Sequence, residues 1–342
     1  MDLLSAAATP ATVYSLSVVV PVYNEQEVLP EFHRRLGAAL AALPAKSEII
    51  YIDDGSRDGS RALLARLHDA DPRVAVIALS RNFGKEIAMT AGLDRAEGDA
   101  VVVIDSDLQD PPELLGDMVA AWQAGADVVL MRRASRAQES WFKKATAGAF
   151  YRVIGRMSDI DIPENVGDFR LMSRRTVEAF RRLPERSRFM KGLFAWIGYP
   201  TRELTYDRDG RFAGETKWNY WKLWNFALEG ITSFSAAPLK IASYVGFITA
   251  LVAFTYGVFV IGKTLLFGDP VRGYPTLVVL VLFLGGLQLM ALGIIGEYIA
   301  RMFVEVKGRP LYLVEDWRPP AAPLALDVPA VTRAASEPWP LR

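Results

Sequence analysis

The chain contains no cysteine among its 342 residues and only two histidines, His33 and His68. Without cysteine there is no disulfide, no thiolate metal site and no cysteine nucleophile, a composition that fits a reducing compartment. Both histidines fall in helical patterns away from every polar motif, so histidine catalysis and zinc binding are set aside. Net charge is absent as well, since 39 Lys and Arg balance 39 Asp and Glu. That zero hides a division along the chain. The recognisable Asp clusters lie within residues 53 to 117, whereas residues 132 to 156 hold Arg132, Arg133, Arg136, Lys143, Lys144, Arg152 and Arg156 against Glu139 alone. The N-terminus also lacks the basic start and apolar core of a signal peptide, which leaves residues 1 to 220 expected in the cytoplasm.

Charge is missing again from residues 241 to 262 and 274 to 296, where much of the 51% hydrophobic content is concentrated. Each run is long enough to cross a hydrocarbon core of about 30 Å as a helix, so two membrane spans are expected. Lys217, Lys222 and Lys240 precede the first run, and Arg301, Lys307, Arg309 and Arg318 follow the second. Basic residues mark cytoplasmic flanks, which places both termini on that side of a multi-pass membrane protein. Between Lys217 and Trp224, tryptophans recur every three residues, as in an amphipathic helix lying at the headgroup level. The basic surface ahead of the spans suits anionic headgroups or a phosphorylated lipid. Nucleic acid is not expected as a partner, because no recognition motif accompanies the charge. The division that follows is an α/β domain over 1–210, a juxtamembrane segment over 211–237, a helical pair over 238–304 and a tail over 305–342, disordered from about 319.

What the first half has in plenty is Val and Ile in short runs alternating with helical patterns, the signature of a mostly parallel α/β sheet. The pattern predicts strands over 15–22, 48–53, 74–79, 100–105 and 127–131, and helices over 25–43, 57–69, 84–97 and 112–124. Right-handed crossovers bring the ends of parallel strands to one edge. That edge then collects Pro21 to Glu25, Asp53 to Ser60, Arg81 to Lys85 and Asp105 to Gln109.

Open α/β sheets bind ligands outside the carboxyl ends of their strands. Asp105-Ser106-Asp107-Leu108-Gln109-Asp110 follows the apolar run Ala100 to Ile104, and its oxygen-only donors suit a hard divalent ion, Mg²⁺ or Mn²⁺. Asp110-Pro111-Pro112-Glu113 is explained as a helix start, but the repulsion between Asp105 and Asp107 calls for a cation. Val18 to Glu25 ends a strand at Pro21, where a central ladder should stop, and exposes Tyr23, Asn24 and Glu25; Asn24 is equally suited to a helix cap. Asp53-Asp54-Gly55-Ser56 reads either as a tight turn or as a base or ribose site.

With these segments in this order, the chain resembles the family-two inverting glycosyltransferases, and within them the polyprenyl-phosphate group that includes bactoprenol glucosyltransferases and dolichol-phosphate mannose synthases. Ser80 to Lys85, Gly167 to Arg174 and Arg211 to Lys217 match its pattern, and Gly296-Glu297-Tyr298 with Lys307 to Pro310 resembles the bactoprenol branch. Lys85-Glu86 stands where a His-Gln pair is common, and Ser106 where Ala is frequent. The resemblance implies a GT-A nucleotide-sugar fold followed by an interfacial helix and two transmembrane helices, in a homo-oligomer such as a tetramer, of a bacterial inner membrane. It implies that Pro21, Tyr23, Asn24, Glu25, Asp53, Asp54, Arg81, Lys85, Asp105 and Ser106 hold the nucleotide sugar. Asp107 and Gln109 would hold the metal, and Asp105, Asp107, Arg211 and Lys217 would carry catalysis. Arg152, Arg170, Ser173 and Arg174 are the candidates for gripping an acceptor lipid phosphate. The expected reaction moves glucose from UDP-glucose to undecaprenyl phosphate with Mg²⁺ or Mn²⁺; a GDP-mannose-dependent enzyme and a non-catalytic nucleotide-sugar-binding scaffold are the alternatives.

Overall fold

The computed structural model describes residues 14–133, 166–206 apart from Pro184, Ser187 and Phe189, 237–267, 273–322 and Leu324. Four predicted strands appear as β1 (Tyr14–Val22), β2 (Ala45–Asp53), β3 (Val74–Leu79) and β4 (Ala100–Val103), and the fifth as β5 (Val128–Arg133). Between them run α1 (Leu29–Ala41), α2 (Ser60–Ala70), α3 (Lys85–Arg95) and α4 (Leu115–Gln123), the last preceded by a 3-10 turn at Pro112–Leu114. The strands form because their Val and Ile side chains are buried on both faces. Val18 and Val20 pack in a core with Phe32, Leu36 and Met118, while Val19, between them, packs on the other face with Met89, Leu93 and Phe180.

Three strands escape the sequence pattern. They are β6 (Val166–Ser173), β7 (Thr201–Tyr206) and β8 (Val314–Arg318), which complete an eight-stranded sheet in the order β7-β5-β6-β4-β1-β2-β3-β8. β6 runs antiparallel to β4 and β5, and β8 antiparallel to β3, so the sheet is mixed though mostly parallel. β1 continues through Pro21 to Val22, three residues beyond its last partner on β4, with Val19 opposite Val103. A residue without an amide hydrogen is tolerated there because the ladder on the β4 side has already ended. Gly92 lets α3 lie close on the sheet, since a Cβ there would stand 2.4 Å from Val19 and 2.7 Å from Ile52.

Two short helices follow β6, α5 (Arg174–Arg181) and α6 (Met190–Trp196), and two long ones come later in the chain, α7 (Ala237–Phe267) and α8 (Tyr274–Lys307). Among the described residues one stretch, Phe283–Lys307, is long and apolar enough to cross a membrane. α8 continues past the charge-free run that ends at residue 296 and stops three residues beyond the expected end of the helical pair at 304. Phe254, Leu265, Leu289 and Phe303 on these helices are exposed, as membrane-facing side chains would be. The chain then returns to the α/β domain. Arg186 donates its backbone amide to Glu305, Ser80 donates to the Leu313 carbonyl, and β8 covers the β3 edge. The tail expected to be disordered from about 319 stays in contact further: the Ala322 amide donates to Pro72 and Leu324 is buried.

Candidate active site

The carboxyl ends of β1 to β4 do gather four loops on one edge. Asn24, in the left-handed region at φ 55°, ties the first two together by accepting from the Arg57 amide at 2.8 Å and donating its own amide to Ser56 Oγ at 3.0 Å. The α1 N-cap is Val28, so Asn24 is no cap for that helix. Asp53 is fully buried at the end of β2, with Oδ1 accepting from the Ser56 amide at 3.0 Å and Oδ2 unpartnered among the described residues. Tyr23 is 42% exposed beside it on the same edge, available to a flat ligand.

Asp54 differs from the nucleoside contact expected of it. Both of its oxygens are taken by backbone amides of the third loop, from Phe83 at 2.7 Å and Gly84 at 2.9 Å. Burial lifts its pKa, opposed by those two hydrogen bonds. Its role is therefore to buckle the 80–84 loop to the end of β2. Gly55, at φ 68°, makes the approach possible, because a Cβ would stand 2.5 Å from the Arg81 carbonyl carbon and 2.6 Å from the Asn82 nitrogen. Arg81 folds back over the Phe83 ring at 4.0 Å. Ser106 is buried and donates to the Pro21 carbonyl at 3.3 Å, so its hydroxyl fastens the fourth loop to β1.

The centre of the site is Lys85, the first residue of α3. Its Nζ lies 2.6 Å from Asp105 Oδ2 and 2.5 Å from Asp168 Oδ2. Asp105 comes from the end of β4 and Asp168 from β6, whose antiparallel course brings its early residues to this edge. Burial acts to raise both carboxyls. At Asp168 the attraction of Lys85, with Arg170 and Lys191, prevails and holds it at about 2. At Asp105 burial and the repulsion of Asp168 and Asp110 prevail, and it is raised to about 6. The same pair holds the Lys85 ammonium above its ordinary range against burial.

The donor set suits a divalent ion. Asp105 Oδ1 and Gln109 Oε1 are buried oxygens without a partner among the described residues, and Asp107 stands between them with Oδ1 accepting from the Gln109 amide at 3.1 Å. Leu108, at φ 59°, makes the turn that doubles this loop back. No group of three or more His, Cys, Asp or Glu fit to hold a metal occurs among the described residues. Two carboxylates and an amide leave coordination positions for a diphosphate, as hard ions of this kind require.

Arg170 is buried on β6, stacked at 4.0 Å on the Phe194 ring and donating to the Gly167 and Asp168 carbonyls. Burial pushes its guanidinium down to about 10, opposed by Asp168. It borders a cavity of about 290 Å³ with Lys191, Phe194, Val128, Leu130 and Val166. Ser173 and Arg174 are not at this site. β6 carries Asp168 to the carboxyl edge and therefore carries Ser173, five residues on, to the opposite edge beside Ala100, roughly 17 Å away at about 3.3 Å per residue. There Ser173 donates to Asp127 at 2.8 Å and caps α5, and Arg174 binds the Ala96 and Gly98 carbonyls. Arg152, Arg211 and Lys217 lie outside the described residues, as does the Trp218 to Trp224 segment. Asp168 is the participant that sequence reasoning did not assign, although it stands in the quoted Gly167 to Arg174 motif. Recognising 166–173 as a strand would have put Asp168 and Arg170 on one face.

The sheet edge is acidic and lysine-bridged, and an apolar helical pair follows the α/β domain along the chain. The Glycosyl transferase family 2 pattern matches residues 17–181, and the GtrB C-terminal hairpin matches residues 237–302. Over 88% of its length the chain is 53% identical to an uncharacterized glycosyltransferase of Synechocystis, covering 95% of that protein. It is 49% identical to the SfII prophage-derived bactoprenol glucosyl transferase of Shigella flexneri and 48% identical to a prophage bactoprenol glucosyl transferase homolog of Escherichia coli, covering 97% and 98% of them. The chain belongs to the family-two polyprenyl-phosphate glycosyltransferases. Among solved structures, a mannosyl-3-phosphoglycerate synthase from Rubrobacter xylanophilus is 17% identical with a TM-score of 0.45, over 63% of this chain and 71% of that one, a likeness that carries no functional argument.

Proposed function

We propose that this protein transfers glucose from UDP-glucose to a polyprenyl phosphate, with inversion, giving a lipid-phosphate-linked sugar on the cytoplasmic face of the membrane. The observation that carries the proposal is the likeness, across nearly the whole length of both chains, to proteins named bactoprenol glucosyl transferases. Tyr23 and Asp53 hold the nucleoside, and Lys85 at the amino end of α3 receives the diphosphate, its charge adding to the helix dipole there. Asp105, Asp107 and Gln109 hold Mg²⁺ or Mn²⁺, which when bound offsets the charge growing on the leaving diphosphate. Arg170 and Lys191, set in the apolar wall of the cavity beside Asp168, grip the acceptor phosphate by charge-assisted hydrogen bonds. A phosphate oxygen attacks the anomeric carbon as the bond from that carbon to the diphosphate oxygen breaks, and the electron pair leaves with UDP. The nucleophile is already an anion, so the site has no need of a general base, and the work lies in positioning and charge neutralisation. Arg211 and Lys217 act on the diphosphate from the juxtamembrane segment, and Arg152 on the acceptor phosphate. α7 and α8 form two spans with both ends cytoplasmic, and the enzyme works as a homo-oligomer.

The test is radiolabelled sugar transfer into undecaprenyl phosphate by the purified full chain over UDP- and GDP-sugar donors, with and without divalent ion, beside Asp107→Ala. Metal-dependent product from UDP-glucose, lost in the variant, is expected. Product from GDP-mannose alone would move the assignment to a mannosyltransferase, and nucleotide-sugar binding without any product would favour a scaffold.

A further inference from the structure

Lys85 occupies an unusual position for a cation. It is the first residue of an 11-residue helix, where the positive end of the helix dipole disfavours an ammonium, although the Asp54 carboxylate, held by the Phe83 and Gly84 amides, offsets part of that field. Two carboxylates, Asp105 and Asp168, hold it there at 2.6 and 2.5 Å. One ammonium is shared by both carboxylates, and the further cations nearby, Arg170 and Lys191, act on Asp168. Asp105 Oδ1 remains buried without a partner among the described residues, so the position between the carboxylates is electrostatically under-filled. The lysine side chain is nonetheless 42% exposed, and its flexible stem leaves a path for the ammonium to swing away.

We propose that Lys85, anchored between Asp105 and Asp168, is a built-in counter-ion that blocks the Asp105 carboxylate to free metal in the donor-free enzyme and moves to the diphosphate when the donor arrives. The proposal rests on the nucleotide-sugar function given above and adds an order of events to it. Without donor, a divalent ion reaching Asp105 has to displace an ammonium that Asp105 and Asp168 hold together. With donor, the diphosphate at the amino end of α3 gives Lys85 a new partner on the side that the helix favours for anions. The ammonium exchanges one anionic partner for another, and Asp105, once released, would hold the ion together with Asp107 and Gln109. Metal and nucleotide therefore enter together, and metal alone is excluded.

Mn²⁺ binding to the full-length protein in detergent, followed by the loss of free Mn²⁺ electron paramagnetic resonance signal at pH 8, tests this without any turnover. The wild type is expected to bind Mn²⁺ weakly alone and at least about tenfold more tightly with saturating UDP, after correction for Mn²⁺ held by free UDP. Lys85→Gln is expected to bind Mn²⁺ at least about tenfold more tightly than wild type without UDP. The ceiling is the roughly millionfold effect of a unit charge about 4 Å from a divalent ion at an effective dielectric of about 20. Lys85→Arg should behave as wild type, and Lys85→Gln with Asp168→Asn should lose the gain. Equal Mn²⁺ affinity of wild type and Lys85→Gln without UDP overturns the proposal. So does equal affinity of wild type with and without UDP, a comparison that needs no folded variant. Failure of UDP to bind at all would instead overturn the proposed function.

Discussion

Asp54→Asn separates the buckle at the end of β2 from a direct nucleoside contact. Asp54 is 2% exposed and accepts from the Phe83 amide at 2.7 Å and the Gly84 amide at 2.9 Å. Charge-assisted hydrogen bonds contribute about 1.5–3 kcal/mol each and neutral ones about 0.5–1.5. Asparagine keeps the volume and one acceptor oxygen, so one bond survives in weaker form and an NH₂ group faces the other amide. The removed charge relieves a burial cost that already lifts the Asp54 pKa, which favours the lower half of the range. The net loss is about 1–3 kcal/mol, or roughly 2–12 °C in thermal midpoint for a domain of this size. Functionally the loss lands on Lys85, because the 83–84 amides set where α3 begins. A drop of roughly 10- to 100-fold in kcat/KM is expected, the equivalent of about 1.4–2.7 kcal/mol at the transition state. Thermal unfolding in detergent and steady-state transfer with varied donor measure the two effects. A variant with the wild-type midpoint, donor affinity and kcat/KM would refute the reasoning, and one with the wild-type midpoint but lost UDP binding would restore Asp54 as a ligand contact.

Gly55→Ala should be worse than its one methyl group suggests, because φ 68° costs a non-glycine residue about 1–2 kcal/mol and the Cβ would meet backbone at 2.5 and 2.6 Å; differential scanning should give a lower midpoint than wild type. The pH profile follows Asp105, raised to about 6 by burial and like charge. Its anion is the active form, so lowering pH through about 6 protonates it and kcat/KM falls. Lys85→Gln removes the attraction that opposes the rise, so the acid limb should move upward by about 1–3 units; an unmoved limb contradicts the assignment. Truncation after Lys307 removes β8 and leaves the β3 edge unpaired, and size-exclusion chromatography should report aggregation where the full chain is monodisperse.

Periodicity and strand-end chemistry alone made the core of this protein legible. Runs such as Val18 to Val20, Ile49 to Ile52 and Val101 to Val103 are buried on both faces, so hydrophobicity without alternation marks them, and the acidic residues that follow mark the binding edge. The boundaries of α1 and α4 shifted by a few residues because loop hydrogen bonds and a 3-10 turn use the positions at their ends. β6, β7 and β8 were not legible. β6 mixes Asp168 and Arg170 among apolar residues, β7 is largely exposed, and β8 pairs with β3 across more than two hundred residues of intervening chain. Pairing at that range is set by what else the edge meets and not by local pattern.

Composition fixed the exclusions, and residue order fixed the family, since both are properties of the chain read one residue after another. Direction was decided only in three dimensions. Because β6 runs against β4, one motif is split, with Asp168 and Arg170 delivered to the site and Ser173 and Arg174 to the far edge. The same pairing puts Lys85 between Asp105 and Asp168, 20 and 83 residues away in sequence. Two buried carboxylates need a cation between them, and which cation reaches that point is a matter of packing, which no linear spacing encodes.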